Sequence, residues 1–130
     1  MPVLLSDDHY GFPPVHMANR EGLLAIGGDL EPERLINAYC SGIFPWFNDD
    51  SPILWWSPDP RMVLFPEEFK RSKSLEQTIR SNKFETRFDT AFTEVIGHCA
   101  STPRSGQDGT WITDEMIGAY IGLHKLGIAH

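Results

Sequence analysis

The stretch Ile53-Leu54-Trp55-Trp56-Ser57-Pro58-Asp59-Pro60-Arg61 decides how the chain divides. Its first four residues are bulky and apolar, with the composition of a strand. Two prolines in three residues then end it, because proline has no backbone N–H to give to a ladder. Arg61 to Phe65 reads as a new strand, closed by Pro66. The break predicts a boundary, with an N-terminal domain over residues 1–60 and a second domain over 61–130.

Upstream, Met1 to Asn19 is rich in Pro, His and Asp without a period, and Phe12-Pro13-Pro14 is held extended. This segment reads as an extended arm. Gly27-Gly28-Asp29 is a turn that leads into a helix over Glu31 to Ser41. Pro32 suits its first turn, Leu35, Ile36 and Tyr39 form its apolar face, and Gly42 fits the position after its C-cap.

Downstream, Ser74-Leu75-Glu76-Gln77 reads as a capping box that opens a short helix ending near Asn82, with Leu75 and Ile79 on one face. Phe84 to Phe88 alternates as a half-buried strand. Asp89 is read as the cap of a helix whose Phe92, Val95, Ile96 and Cys99 fall at i, i+3, i+4 and i+7. On that stripe Cys99 reads as a buried, inert thiol. Ser101 to Gly109 is a polar loop. Thr113 caps a last helix with Met116, Ile117, Tyr120 and Leu123 facing inward, stopped by Gly127. Helices and strands in this order give an α+β fold.

Composition excludes several classes. The chain has 130 residues, 41% of them apolar, so it has the material for a core and is not a disordered segment. No apolar run approaches the ~20 residues of a membrane span. The start lacks the basic-then-apolar pattern of a signal peptide. Two isolated cysteines, Cys40 and Cys99, form neither a disulfide framework nor a metal or redox motif, and a reducing, cytoplasmic setting is expected. Asp7-Asp8-His9 contains metal-ligand types at adjacent positions that rarely converge on one ion, and His98 and His124 stand alone. The spacings of zinc sites are missing, and no metal is expected. Neither a phosphate-binding glycine loop nor a GxSxG nucleophile element is present.

Charge and aromatics are the informative features. The net charge of −7 argues against a globally basic nucleic-acid binder. Residues 61–87, however, carry seven basic side chains against four acidic ones, between acidic flanks. Such a stretch either faces a polyanion such as RNA or is a solvated helix with ordinary surface charge. Phe44, Trp46, Phe47, Trp55, Trp56 and Trp111 form a set interrupted by proline. It is either ordinary core or a rigid wall that holds apolar groups or stacks bases. On the residues alone, a non-catalytic binding module for an apolar ligand or single-stranded RNA stands beside an enzyme.

Several segments together resemble one family. They are Gly22-Leu-Leu-Ala-Ile-Gly-Gly-Asp-Leu30, Pro32-Glu-Arg-Leu35, Ala38-Tyr39, Gly42-Ile-Phe-Pro-Trp-Phe47 and Pro52-Ile-Leu-Trp-Trp-Ser-Pro-Asp-Pro-Arg61. Asp89-x-Ala-Phe92, Val95-Ile96, Cys99-Ala100, Gly109-Thr-Trp-Ile-Thr113 and the run from Ala119-Tyr120 to Ala129-His130 extend the match. All are similar to the leucyl/phenylalanyl-tRNA–protein transferases, over nearly the whole chain after residue 11.

The resemblance implies a cytoplasmic aminoacyltransferase. Such an enzyme moves Leu or Phe from aminoacyl-tRNA to proteins with an N-terminal Lys or Arg, producing an N-end rule degradation signal. It implies a small N-terminal domain followed by the first part of an acetyltransferase-like (GNAT-like) domain. No cofactor is implied, since the aminoacyl ester is already activated. Carried over residue by residue, Trp46, Trp111 and Tyr120, with Tyr39 and Phe44, match positions of the aminoacyl-adenosine site. Lys73 and Arg80, with Arg71 and Lys83, match the tRNA-contacting helix, although Glu76 and Gln77 stand where relatives tend to carry basic residues. The family's Asp-x-Gln pair, assigned to peptide-bond formation, does not occur here. The resemblance therefore implies no catalytic residue in this chain, a truncated product, and little or no activity by itself.

Overall fold

The computed structural model describes residues 1–106 and 110–130. The end of the expected polar loop, at 107–109, lies outside them. Four short strands form one mixed sheet: β1 (Val3–Leu5), β2 (Leu23–Gly27), β3 (Phe44–Pro45) and β4 (Leu54–Trp56), in the order β1-β2-β4-β3. β1 runs parallel to β2, with Val3 opposite Ala25 and Leu5 opposite Gly27. β4 runs antiparallel to β2 on one side and to β3 on the other, with Ala25 opposite Trp55 and Phe44 opposite Trp56. Among the described residues, the α-helices are α1 (Pro32–Cys40), α2 (Lys73–Arg80), α3 (Phe92–Ser101) and α4 (Asp114–Lys125). The class is α+β.

The core is built where β2 and β4 meet α1. Leu24, Ala25, Leu35, Ala38, Ile43 and Trp55 are fully buried, and Leu123 of α4 packs into the same cluster. Trp55 is its largest member; Phe12 meets its ring edge-on at 4.8 Å, and its indole N–H donates to the Gly27 carbonyl at 2.9 Å. The partner satisfies the one polar atom that burying a tryptophan would otherwise strand.

α1 ends in a glycine-dependent cap. The Gly42 N–H donates to the Tyr39 carbonyl at 3.2 Å and the Ile43 N–H to the Ala38 carbonyl at 2.9 Å. Gly42 sits at φ +72°, where a side chain would be strained. These two bonds are the Schellman pattern, and Ile43, buried, supplies its apolar contact. The cap turns the chain at once into β3, so the end of α1 fixes where Phe44 begins.

A buried arginine ties the N-terminal segment to this unit. The Arg34 guanidinium is fully buried and donates to both Asp29 carboxylate oxygens, at 3.0 and 3.1 Å, to the Ser6 carbonyl at 2.9 Å and to the His9 carbonyl at 3.0 Å. The first residues are therefore not simply an extended arm, since they contribute β1 and two acceptors to Arg34.

Several expected elements form differently. Arg61 to Phe65 is not a strand, and Met62 is 99% exposed. Phe84 to Phe88 is also irregular, with both phenylalanines exposed. Alternation makes a strand only when another strand takes its hydrogen bonds, and among the described residues neither stretch has one. The cap of α2 is Ser72, whose hydroxyl accepts from the Leu75 N–H at 3.2 Å, and not Ser74. α3 starts after Ala91 without a side-chain cap. Asp89 sits instead at φ +58° and pairs with His130 at 3.0 Å and His124 at 3.8 Å. Cys99 is exposed rather than buried, because the apolar stripe of α3 faces an open groove. Thr113 caps α4 as expected, accepting from the Met116 N–H at 3.2 Å, and Met116 and Leu123 are buried.

Candidate functional site

The aromatic residues separate into buried and presented ones. Trp55 is core, whereas Trp46 is 55% exposed and Tyr39 48% exposed. Phe44, Pro45, Trp46 and Trp111 line one apolar groove of about 190 Å³. Three aromatic side chains from two distant parts of the chain thus meet around a space suited to a planar ring. A larger hollow of about 480 Å³ lies between the turn at residues 28–32 and α4, but its walls carry three acidic residues, Asp29, Glu31 and Glu115.

β3 is held at both ends. The Trp56 indole N–H donates to the Trp46 carbonyl at 2.7 Å. At the other end the Gly42 carbonyl accepts from the Ser57 hydroxyl at 3.3 Å and from Arg61 Nη1 at 2.7 Å. The Arg61 guanidinium lies 5.0 Å from the centre of the Phe44 ring. Arg61, expected as the first residue of a strand, is instead fastened beside the groove.

Tyr39 and Tyr120 form a second pair. Their hydroxyls are hydrogen-bonded to each other, and the rings meet edge-on with centroids 6.3 Å apart. Burial, and then the bond to Tyr39, push the Tyr120 hydroxyl above the usual tyrosine range. It therefore stays neutral through and beyond physiological pH. The five aromatic residues singled out from the sequence fall in two groups, Phe44–Trp46–Trp111 and Tyr39–Tyr120, linked through the Gly42 turn.

The four basic residues flank or belong to α2, which buries none of its side chains. Glu76 stands 3.8 Å from Arg71 and 3.6 Å from Arg80. It partly neutralises two of the four cations, although exposed pairs of this kind are weak. Lys73 and Lys83 have no carboxylate at ion-pair distance among the described residues; the Lys83 ammonium lies 5.5 Å from the Phe84 ring centre.

A second apolar groove, of about 350 Å³, follows α3 and is lined by Phe88, Phe92, Val95, Ile96, Cys99 and Ile112, with Asp89 and His130 at its rim. The His124 ring stacks on Phe92 at 4.2 Å, and its Nδ1 lies 2.8 Å from the Ala129 carbonyl oxygen. Among the described residues, no group of three or more His, Cys, Asp or Glu side chains is placed to hold a metal ion. Among the described residues, no helix is long and apolar enough to cross a membrane.

Comparison with known proteins places this geometry in context. Residues 63–130 match the family model described as leucyl/phenylalanyl-tRNA protein transferase, and residues 28–59 match the model of that transferase's N-terminal domain. A protein of Dechloromonas aromatica named leucyl/phenylalanyl-tRNA–protein transferase is 61% identical over 121 residues, which cover 92% of this chain and 52% of the relative. Proteins of the same name from Xanthomonas axonopodis pv. citri and Nitrosomonas europaea are 57% and 61% identical, over 100% and 92% of this chain and 53% and 51% of their own lengths. The chain spans about half the length of the curated relatives it matches.

Proposed function

Because the chain belongs to the leucyl/phenylalanyl-tRNA protein transferase family, we propose that it supplies the aminoacyl-tRNA-binding part of that aminoacyltransferase. The reaction moves Leu or Phe from its tRNA to the α-amine of a protein that begins with Lys or Arg. It takes place in the cytoplasm and produces a degradation signal. Residues 1–60 serve as the N-terminal domain. Residues 61–130 correspond to the first part of an acetyltransferase-like domain in the longer relatives.

The observation that carries this reading is the groove between Phe44, Trp46 and Trp111. Aromatic faces hold a base by stacking without needing its hydrogen-bond pattern. The terminal adenosine of the tRNA enters this groove, and Tyr39 and Tyr120 stand beside the aminoacyl ester. Exposed cations around α2 contact the tRNA backbone through charge, which carries no sequence information.

The chemistry itself is ester aminolysis. The amine nitrogen forms a bond to the ester carbonyl carbon, the C–O bond to the terminal ribose breaks, and the ribose oxygen takes up the proton that the amine gives up. The ester is activated already, so no cofactor is required. No residue of this chain is assigned to the proton transfer, and the Asp-x-Gln pair of the family is absent from it.

The test is transfer of Phe from Phe-tRNA to a peptide beginning with Lys, by the chain joined to the further length that its relatives possess. The joined protein transfers Phe, and Trp46→Ala in it damages transfer without unfolding it. Unchanged steady-state kinetics in that variant remove Trp46 from the site. Absence of any tRNA binding by the chain contradicts the reading as a whole.

A further inference from the structure

We infer that Arg61 is the anion contact of the aromatic groove: it takes the phosphate of a nucleotide whose base stacks between Phe44, Trp46 and Trp111. This rests on the stacking reading above and adds a residue and a ligand chemistry to it. Three observations carry it. First, Arg61 is placed: one of its donors, Nη1, is fastened to the Gly42 carbonyl at 2.7 Å, and the guanidinium stands 5.0 Å from the ring centre of Phe44, a wall of the groove.

Second, its charge is uncompensated. Among the described residues no carboxylate lies at ion-pair distance from Arg61, as also from Arg20 and Arg104, whereas Arg34, Arg71, Arg80 and Arg87 each have one. Third, its capacity is spare. A guanidinium carries five N–H donors in a fixed fork, and the Gly42 bond uses one. The Arg61 side chain is exposed, so the remaining donors face solvent. A guanidinium with free donors, anchored by its partner rather than free to wander, is suited to a phosphate. The bond to Gly42 reduces the ordering such contact would otherwise cost.

The experiment compares adenosine with adenosine 5′-monophosphate, titrated against the tryptophan fluorescence of the chain. Expected for the parent is about a tenfold preference for the monophosphate, the strength of one charge-assisted contact. In Arg61→Gln the ratio of the two affinities falls to about one, and in Arg61→Lys, which keeps the charge but loses the fork, it is intermediate. The ratio is unaffected by any general loosening of the groove, and thermal denaturation verifies that each variant is folded.

A parent ratio near one overturns the role of Arg61 while leaving stacking intact. A tenfold ratio that survives in Arg61→Gln overturns it also, even if both affinities drop together, because Arg61 then acts only by holding Phe44. If the folded parent binds neither ligand, the stacking reading fails and the inference with it.

Discussion

The hydroxyl of Tyr39, in the last turn of α1, is hydrogen-bonded to the hydroxyl of Tyr120, in the middle of α4. The bond joins a helix of the N-terminal match to a helix of the second match. Among the described residues it is the one side-chain hydrogen bond between the two matched segments.

Removing that bond has a modest effect on stability and a distinct one on titration. Tyr120→Phe costs about 0.5–1.5 kcal/mol, since the remaining Tyr39 hydroxyl is half exposed and turns to water. Urea denaturation measures the cost, and a double-mutant cycle with Tyr39→Phe isolates the pair. Because Tyr120 stays protonated as pH passes the ordinary tyrosine value of 10.0, its loss removes no phenolate absorbance there. A phenolate signal at that pH that disappears in Tyr120→Phe contradicts the burial described here.

Asp29 and Arg34 give the fold a pH dependence of definite sign. The hydrogen bond from Arg34 holds the Asp29 carboxyl below its ordinary value of 3.8. A depressed carboxylate contributes stability that is complete above its unfolded value and lost as the pH falls through the folded one. Asp29→Ala therefore costs about 2–4 kcal/mol near neutrality, where it leaves a buried guanidinium short of two acceptors. The cost shrinks on acidification below the folded value. Equal costs at both ends, by urea denaturation, refute the pairing as the cause.

Glu76 limits what α2 offers to RNA. With Arg71 and Arg80 partly neutralised, the α2 segment presents two cations without a carboxylate partner, Lys73 and Lys83, and contributes about −2 to the log–log salt slope for tRNA binding. Glu76→Gln frees the other two, so affinity at low salt rises and the contribution of this segment steepens to about −3.5. A slope that does not change with this substitution places tRNA away from α2.

What could be read from the sequence was what local rules determine. The helix after Pro32 and its Gly42 end, the Thr113 cap and the Gly127 stop follow from chain geometry within a few residues, and each forms as expected. The Trp55-Trp56 strand forms too, because β2 and β3 are both present to pair with it. Arg61–Phe65 and Phe84–Phe88 have strand-like patterns of the same quality, yet among the described residues no strand lies beside them. Pattern announces a strand and pairing makes one, and only the first is visible in sequence. Ser74 reads as the cap because a glutamine follows it at the right spacing; the backbone takes Ser72 instead.

The candidate site was legible in its residue types and not in its grouping. Trp46 and Trp111 are 65 positions apart, and nothing in their spacing announces a shared groove; the resemblance to a family suggested it. The fastening of Arg61 to Gly42 had no signal beyond its place at the end of the quoted tryptophan-proline stretch. It depends on a turn that returns the chain to the start of β3.

The most direct test of the central claim is equilibrium binding of this chain to tRNA with and without its 3′-terminal adenosine, in the parent and in Trp46→Ala. A base stacked on aromatic side chains is worth about 1–3 kcal/mol. The account predicts that the intact tRNA binds the parent about tenfold more tightly than the shortened one, and that Trp46→Ala abolishes this difference. Equal affinities of the folded parent for the two tRNAs would contradict it.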